Sequence, residues 1–399
     1  MAKPKTFTIQ HEKPWDSTFQ LMSWWDSEKV RKACVMVVGA GSLGNEVLKN
    51  LALMNVGKII IIDFDRIESS NLNRSVLYRA EDAEAQSFKS EIAARKIMEI
   101  NPNVRAIAIN ADITCQVGLG LFRRCDVIIG CLDNRLARLF INRYASRFNV
   151  AWIDGAIENL AGSMAVYRLG KNCYECGLSA TEWQNIRYRL GCPDVASRNI
   201  KYGKIPTTPI SASIIAAMQV QEAIKVIHGN EGFIEYAKKF YYEGMNNIAM
   251  WVESNDRYDE CESHILWQDV IEDEALSHEM TIGEFFDYLE GRFENGLKIN
   301  LDTELVLEIT SQESEKSYDV AVLKTELTDD FLAKYRSELV ENFLITRSLT
   351  CISRESGLND YTLKSIGIPA LAILSIETKD DVIYIELTKD ILKYTILNN

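Results

Sequence analysis

The chain has no excess of positive charge: 44 lysines and arginines face 57 aspartates and glutamates, for a net charge of −13. A surface of that sign repels a phosphate backbone, so nucleic acid is not expected as a partner. An apolar opening is also missing. Residues 1–16 are polar and carry prolines and lysines, unlike a secretory signal. No uninterrupted apolar stretch is long enough to cross a bilayer. No membrane partner is therefore expected, and the expected location is cytoplasmic. In that setting the nine cysteines point to thiols, metal ligation or catalysis before disulfides.

What the chain does have is an ordinary globular composition, 47% hydrophobic and 25% charged, in a length of 399 residues that suggests two or three domains. From Arg31 to about Asp154, apolar runs alternate with helical patterns, as a parallel sheet with crossover helices requires. Strands are expected at 35–38, 59–62, 105–109, 127–130 and 150–153, with helices at 87–100 and 134–148. The fold class is α/β, a Rossmann-like sheet with helices on both faces.

The first run, Val35-Met36-Val37-Val38, passes into Gly39-Ala40-Gly41-Ser42-Leu43-Gly44 and then a helix-like segment. Such a turn sets backbone N–H groups and the positive pole of a helix against a phosphate. Asp63 ends the second run at the spacing that lets a carboxylate bind ribose hydroxyls. Alone, this names a nucleotide and no reaction; a dinucleotide-dependent oxidoreductase stays open. Three later residues narrow the chemistry. Arg74 closes Asn71-Leu72-Asn73-Arg74, Lys89 lies in the first turn of a helix, and Asp133 follows the run 127–130. Ligands of open parallel sheets bind beyond the carboxyl ends of the strands, so these groups share a crevice. Cations at the phosphates and a carboxylate suited to Mg2+ serve phosphoryl or nucleotidyl transfer, and hydride transfer has no use for them. The bland reading of Lys89 is a solvated surface lysine.

Cys173-Tyr174-Glu175-Cys176 has the spacing of half a tetrahedral zinc site, and Cys261-Glu262-Ser263-His264 repeats it with histidine last. A Cys3His set of Cys173, Cys176, Cys261 and His264 is expected to hold Zn2+, the alternative being unligated thiols in the core.

The combination of GAGSLG, DFD, NLNR, Lys89 and the LDN of Leu132 to Asn134 with Arg138 following resembles the ubiquitin-activating-enzyme superfamily and its molybdopterin and thiamine relatives, over roughly residues 31 to 265. The resemblance implies adenylation of the C-terminal glycine of a ubiquitin-like protein with ATP and Mg2+. It places Gly39, Gly41, Gly44, Asp63 and Asp65 at the nucleotide, Asn71, Arg74 and Lys89 at the phosphates, and Asp133 at the metal. It makes residues 177–206 a crossover loop in which Cys192 takes the activated carboxyl as a thioester. Catalysis would then rest on Cys192, Arg74, Lys89 and Asp133. The chain departs from the family in two places. Ser75 stands where a glutamine is usual, and residues 1–30 contain no arginine to reach a partner's ATP. Either Lys13 or Arg31 substitutes, or ATP is held differently, or the dimer, homodimeric or heterodimeric, is built another way.

The acidic run Ile271-Glu272-Asp273-Glu274 reads as a linker. It separates an adenylation domain at 31–270, preceded by an arm at 1–30, from a smaller α+β module at 275–399. There a helix is expected at 280–293, a strand at 299–310, a helix at 329–343, and closing strands at 373–376 and 382–387. TIGEFFDYLEG and TLKSIGIPALAILSIETKDDVIYIEL resemble the ubiquitin-fold (β-grasp) domain with which activating enzymes recruit a conjugating enzyme. The rival readings are a sulfur-carrier adenylyltransferase that stops at the acyl-adenylate, and a non-catalytic scaffold that binds a ubiquitin-like protein. No rhodanese-type cysteine loop is found to favour the former.

Overall fold

The computed structural model describes residues 14–191, 206–236, 238–254, 258, 260–293, 296–336 and 342–394. The five expected apolar runs are parallel strands: β1 (Cys34–Val38), β2 (Lys58–Ile62), β3 (Arg105–Ile109), β4 (Val127–Gly130) and β5 (Ala151–Glu158). Three antiparallel strands extend them, β6 (Ala161–Tyr167), β7 (Lys238–Glu243) and β8 (Ile248–Glu253), in the order β3-β2-β1-β4-β5-β6-β7-β8. The order reverses direction between β1 and β4, which opens the crevice of a doubly wound sheet above those two strands.

Both faces of the parallel part are covered, so its strands read as continuous apolar runs. Val35, Val37, Ile59 and Ile61 point to one face, where α2 (Ser42–Leu53), α4 (Lys89–Ile100) and α8 (Pro209–His228) bury Leu48, Leu51, Ile97, Ile215 and Val220. Between α2 and α4 lies the short α3 (Ala80–Glu84). Helix α8 is long and apolar enough by composition to cross a membrane. Here it lies on α2, β5 and β6, with Gln219 and Glu222 buried within it. Met36, Val38, Ile60 and Ile128 point to the other face, against α5 (Leu119–Arg123) and α6 (Arg135–Arg147).

Of the N-terminal arm, residues 14–33 pack on the body and include α1 (Ser27–Lys32). The rings of Trp24 and Trp25 lie 5.3 and 5.1 Å from that of His228, whose Nε2 accepts a hydrogen bond from the Asp26 N–H at 3.0 Å. Arg31 precedes β1 and therefore sits at the opposite end of the strand from the glycine turn. Its guanidinium donates to Ser27 O at 3.3 Å. Lys13 lies outside the described residues.

A second sheet contains β9 (Ile271–Asp273), β10 (Lys298–Ser311), β11 (Ser317–Leu323), β13 (Ile373–Glu377) and β14 (Val382–Leu387) in the order β11-β10-β13-β14-β9, with β12 (Phe343–Ser353) also paired to β10. Helix α9 (Ile282–Glu290), started by a Thr281/Glu284 capping box, buries Ile282, Phe285, Phe286 and Leu289 against it. Two expectations are corrected. The acidic run is no linker: Ile271–Asp273 is strand β9, parallel to β14, because Tyr288 and Arg292 bind the Asp273 carboxylate and Arg123 binds Glu272. Of the helix expected at 329–343, Asp329–Ala333 (α10) is helical among the described residues, and Phe343 opens β12, its ring buried beside Val306 and Ile309.

Candidate active site

The turn between β1 and α2 depends on missing side chains. Gly39 has φ +94°, and a Cβ there would lie 2.4 Å from Cys131 O; at Gly44 it would lie 2.0 Å from Gly39 O. Both positions need the close backbone approach that only glycine permits. Gly41 differs: a Cβ there meets nothing within 4 Å, so this glycine borders open space at the N-terminus of α2, where a phosphate would approach the amides.

The other expected nucleotide residues gather around this turn. The Asp63 carboxylate accepts from the Ala40 N–H at 2.6 Å and the Asp65 N–H at 2.8 Å. Burial pushes its carboxyl up, and the charge of Lys89 and the Ala40 N–H pull it back. Lys89 Nζ is 2.6 Å from Asp65 Oδ2, and the Lys89 N–H donates to Asp65 O at 2.9 Å. Ser42 Oγ donates to Arg74 O at 2.9 Å, tying the NLNR segment to the first turn of α2. The Arg74 guanidinium bonds only to its own segment, to Ser70 O and to Asn73 Oδ1 at 3.1 Å, and among the described residues no carboxylate pairs with it. Asn71 Oδ1 accepts from the Glu68 N–H at 2.9 Å, so its carboxamide NH2 is the group left for a ligand. Ser75, at the departing position, is buried with no hydrogen-bond partner for its hydroxyl.

Two residues missed in the sequence hold this arrangement. Asn45 Nδ2 donates to Ala40 O at 2.7 Å and Gly41 O at 3.0 Å, while its Oδ1 accepts from the Leu77 N–H at 2.9 Å. Tyr78 Oη donates to Ala40 O and lies 3.2 Å from Lys89 O. For Asn45 the signal was faint, a buried polar residue in an apolar helix period that has to satisfy a partner; Tyr78, in the loop before α3, carried none.

Asp133 is exposed, three residues past β4, and makes no hydrogen bond or ion pair with another described residue. Its loop is braced from both layers. From α6, Arg138 donates Nε to Asp154 Oδ1 at 2.9 Å and Nη2 to Leu132 O and, at 3.0 Å, to Gly155 O. From α8, Gln219 Nε2 donates to Gly130 O at 2.8 Å and Ile153 O at 3.2 Å. Cys192 lies outside the described residues, as do residues 192–205 of the expected loop 177–206. Its first part is helix α7 (Ala180–Gly191), anchored to α6 by Arg135–Glu182 at 3.2 Å.

Cys173, Cys176, Cys261 and His264 converge, their ligand atoms all within 4.8 Å of one another. Sγ–Sγ distances are 3.5 Å for Cys173–Cys176 and 3.8 Å for Cys173–Cys261, and Cys176 Sγ lies 3.6 Å from His264 Nε2. A tetrahedron with Zn–S of about 2.3 Å has edges of about 3.8 Å, so the donor set fits zinc. Helix α6 aligns both halves: Asn142 accepts from the Tyr174 N–H at 2.9 Å and donates to Ser263 Oγ at 2.7 Å, and Arg143 binds Glu175. Placed on the flank of α6, away from the glycine turn, the cluster pins the entry to α7.

Comparison with known proteins agrees with this geometry. The model of the ThiF family matches residues 17–262. The chain is 30% identical over 209 residues to the sulfur carrier protein adenylyltransferase of Thermus thermophilus, covering 51% of this chain and 72% of that protein. It is 36% identical over 151 residues to SUMO-activating enzyme subunit 2 of Dictyostelium discoideum, covering 37% of this chain, and 29% identical over 252 residues to ubiquitin-like modifier-activating enzyme 5 of Drosophila virilis, covering 59% of this chain and 60% of that protein. It spans only 22% of that SUMO-activating subunit and 27% of the one from Caenorhabditis elegans. Among solved structures, E. coli MccB shares the fold, with a TM-score of 0.51 at 22% identity over 63% of this chain and 72% of that one. The family match ends before β9, so the second sheet lies beyond it. With more than half its length matched, and with the glycine turn, Asp63, Lys89 and Arg74 drawn together, the chain belongs to the ThiF family.

Proposed function

We propose that this adenylyltransferase is an activating enzyme for a ubiquitin-like protein. The carboxylate of the partner's C-terminal glycine attacks the α-phosphorus of ATP and expels pyrophosphate. The Cys192 thiolate then attacks the acyl-adenylate carbonyl, expelling AMP and leaving a thioester for a conjugating enzyme. In this reading Asp63 holds the ribose, the turn at Gly39, Gly41 and Gly44 admits the phosphates, Asn71 donates a hydrogen bond to them, and Arg74 and Lys89 neutralise them. Asp133 would hold Mg2+, which when bound supplies positive charge to the phosphoryl oxygens.

The observation that carries the reading is a guanidinium, that of Arg74, paired with no carboxylate among the described residues, on a segment whose Arg74 carbonyl is tethered to Ser42 of the glycine turn's helix, with Lys89 paired to Asp65. A catalytically silent scaffold has no need of cations at that place. The Cys3His cluster would hold structural zinc, and the second sheet would recruit the conjugating enzyme through a ubiquitin-like fold. We place the protein in the cytoplasm as a homodimer or heterodimer.

A sulfur-carrier adenylyltransferase is the second reading, favoured by the 72% coverage of the Thermus protein; it stops at the acyl-adenylate. The two separate on one experiment. With ATP, Mg2+ and a ubiquitin-like partner, intact-protein mass spectrometry should find a thiol-labile adduct that disappears in Cys192→Ala. An acyl-adenylate without any enzyme adduct would select the sulfur-carrier reading.

A further inference from the structure

The second module is joined to the nucleotide module by far more than the chain connection. Helix α5 has only five residues, and the layer over that face of the large sheet is completed from the second module, whose Leu371 and Ile373 lie in one buried core with Met36, Ile60 and Phe122. Backbone meets backbone there. The Gly120 N–H donates to Leu371 O at 2.9 Å, and a Cβ at Gly118 would lie 2.0 Å from Ala370 O. Beside this seam the fully buried Glu386 carboxylate of β14 sits between Arg123 and Arg124, and both arginines also reach Glu272 of β9, at 3.1 and 3.8 Å. Parting the seam would strand a carboxylate and two guanidinium groups.

A second set of contacts borders the same core. Arg147 of α6 binds Asp302 through both nitrogens at 2.8 and 2.9 Å, and its guanidinium lies 4.1 Å over Trp267, which stacks on Tyr384 at 4.3 Å. The connection between modules is fixed too, by the Trp267 N–H on Arg147 O at 2.9 Å and then by strand β9 itself. Rotation of one module on the other would break the core, the buried ion cluster and the aromatic stack together.

We infer that the two sheets form one rigid body, and that a protein docked on the second module is presented to the nucleotide crevice in a single fixed orientation throughout the reaction. The second clause rests on the activating-enzyme reading; the first does not. The module acts as a fixed wall, and the handover step proceeds without its rotation.

The test places p-acetylphenylalanine at the exposed positions Glu81 and Asp380 of the full chain and attaches ketone-reactive nitroxides, which leave the cysteines untouched. The spin–spin distance distribution is then measured alone, with ATP and Mg2+, and with a ubiquitin-like protein added. One narrow distribution, the same in all three, is the expected result. A second population, or a shift on adding ATP or partner, overturns the inference. Urea unfolding of the unlabelled chain gives an independent readout: one transition supports a single body, and two separated transitions contradict it. Neither readout depends on activity, so failure of the functional reading would show separately, as an absent adduct at Cys192.

Discussion

At the scale of single residues, the motif residues expected at a ligand were legible and most of the groups that brace their turn and loop were not. Gly39, Asp63, Arg74, Lys89 and Asp133 stand in spaced motifs, the pattern expected of groups that each meet a fixed piece of a nucleotide or its metal. Tyr78 and Gln219 act on backbone carbonyls brought near only by the fold, 38 residues apart for Tyr78 and Ala40 and 89 for Gln219 and Gly130, and no local pattern records such partners. The metal ligands were legible for the same reason as the first group: each pair must span a tetrahedron edge. Zinc should therefore be present at one ion per chain by elemental analysis. Cys176→Ser should lower that occupancy and the Tm without abolishing ATP binding. A wild-type chain that is fully folded and free of zinc would contradict the assignment.

At the scale of elements, strands buried on both faces were the readable ones, since β1, β2 and β4 are continuous apolar runs. Strand β8 is exposed along its whole length, and β11 mixes charged and apolar residues, so neither carries a strong signal. Strand β9 was mistaken for a linker because its acidic side chains are matched by arginines and a tyrosine distant in sequence. The last helical turn, Thr388–Lys393, is held by a similar device: Lys393 Nζ and Lys364 Nζ bind Glu279 Oε1 at 3.1 and 3.0 Å. Hydrogen bonds from Lys364 and Lys393 pull the Glu279 carboxyl down from 4.5 to about 2. A carboxyl lowered on folding contributes stability above its ordinary value and loses that contribution as pH falls from 4.5 through about 2. Glu279→Gln should flatten the wild-type stability profile in that acid window and leave the shape above pH 5 unchanged, as read by urea unfolding at each pH.

At the scale of the whole molecule, the α/β class and the nucleotide crevice followed from alternation and motif order, whereas the joining of the two sheets did not. Burying Glu386 against Arg123 and Arg124 links residues 262 and 263 positions apart, and only tertiary structure reveals such a pair. Removing one partner of a buried ion cluster costs roughly 3–5 kcal/mol, so Glu386→Gln should lower the unfolding free energy by about that amount. A change under about 1 kcal/mol, typical of a surface pair, would mean the cluster is solvated. The central claim, that the crevice adenylates the tail of a protein partner, is tested most directly by exchange of labelled pyrophosphate into ATP. Exchange should appear only when a ubiquitin-like protein ending in glycine is added, and should fall on the order of 100-fold or more in Asp133→Ala. Exchange that proceeds equally well without any partner protein, or that survives intact in Asp133→Ala, would contradict it.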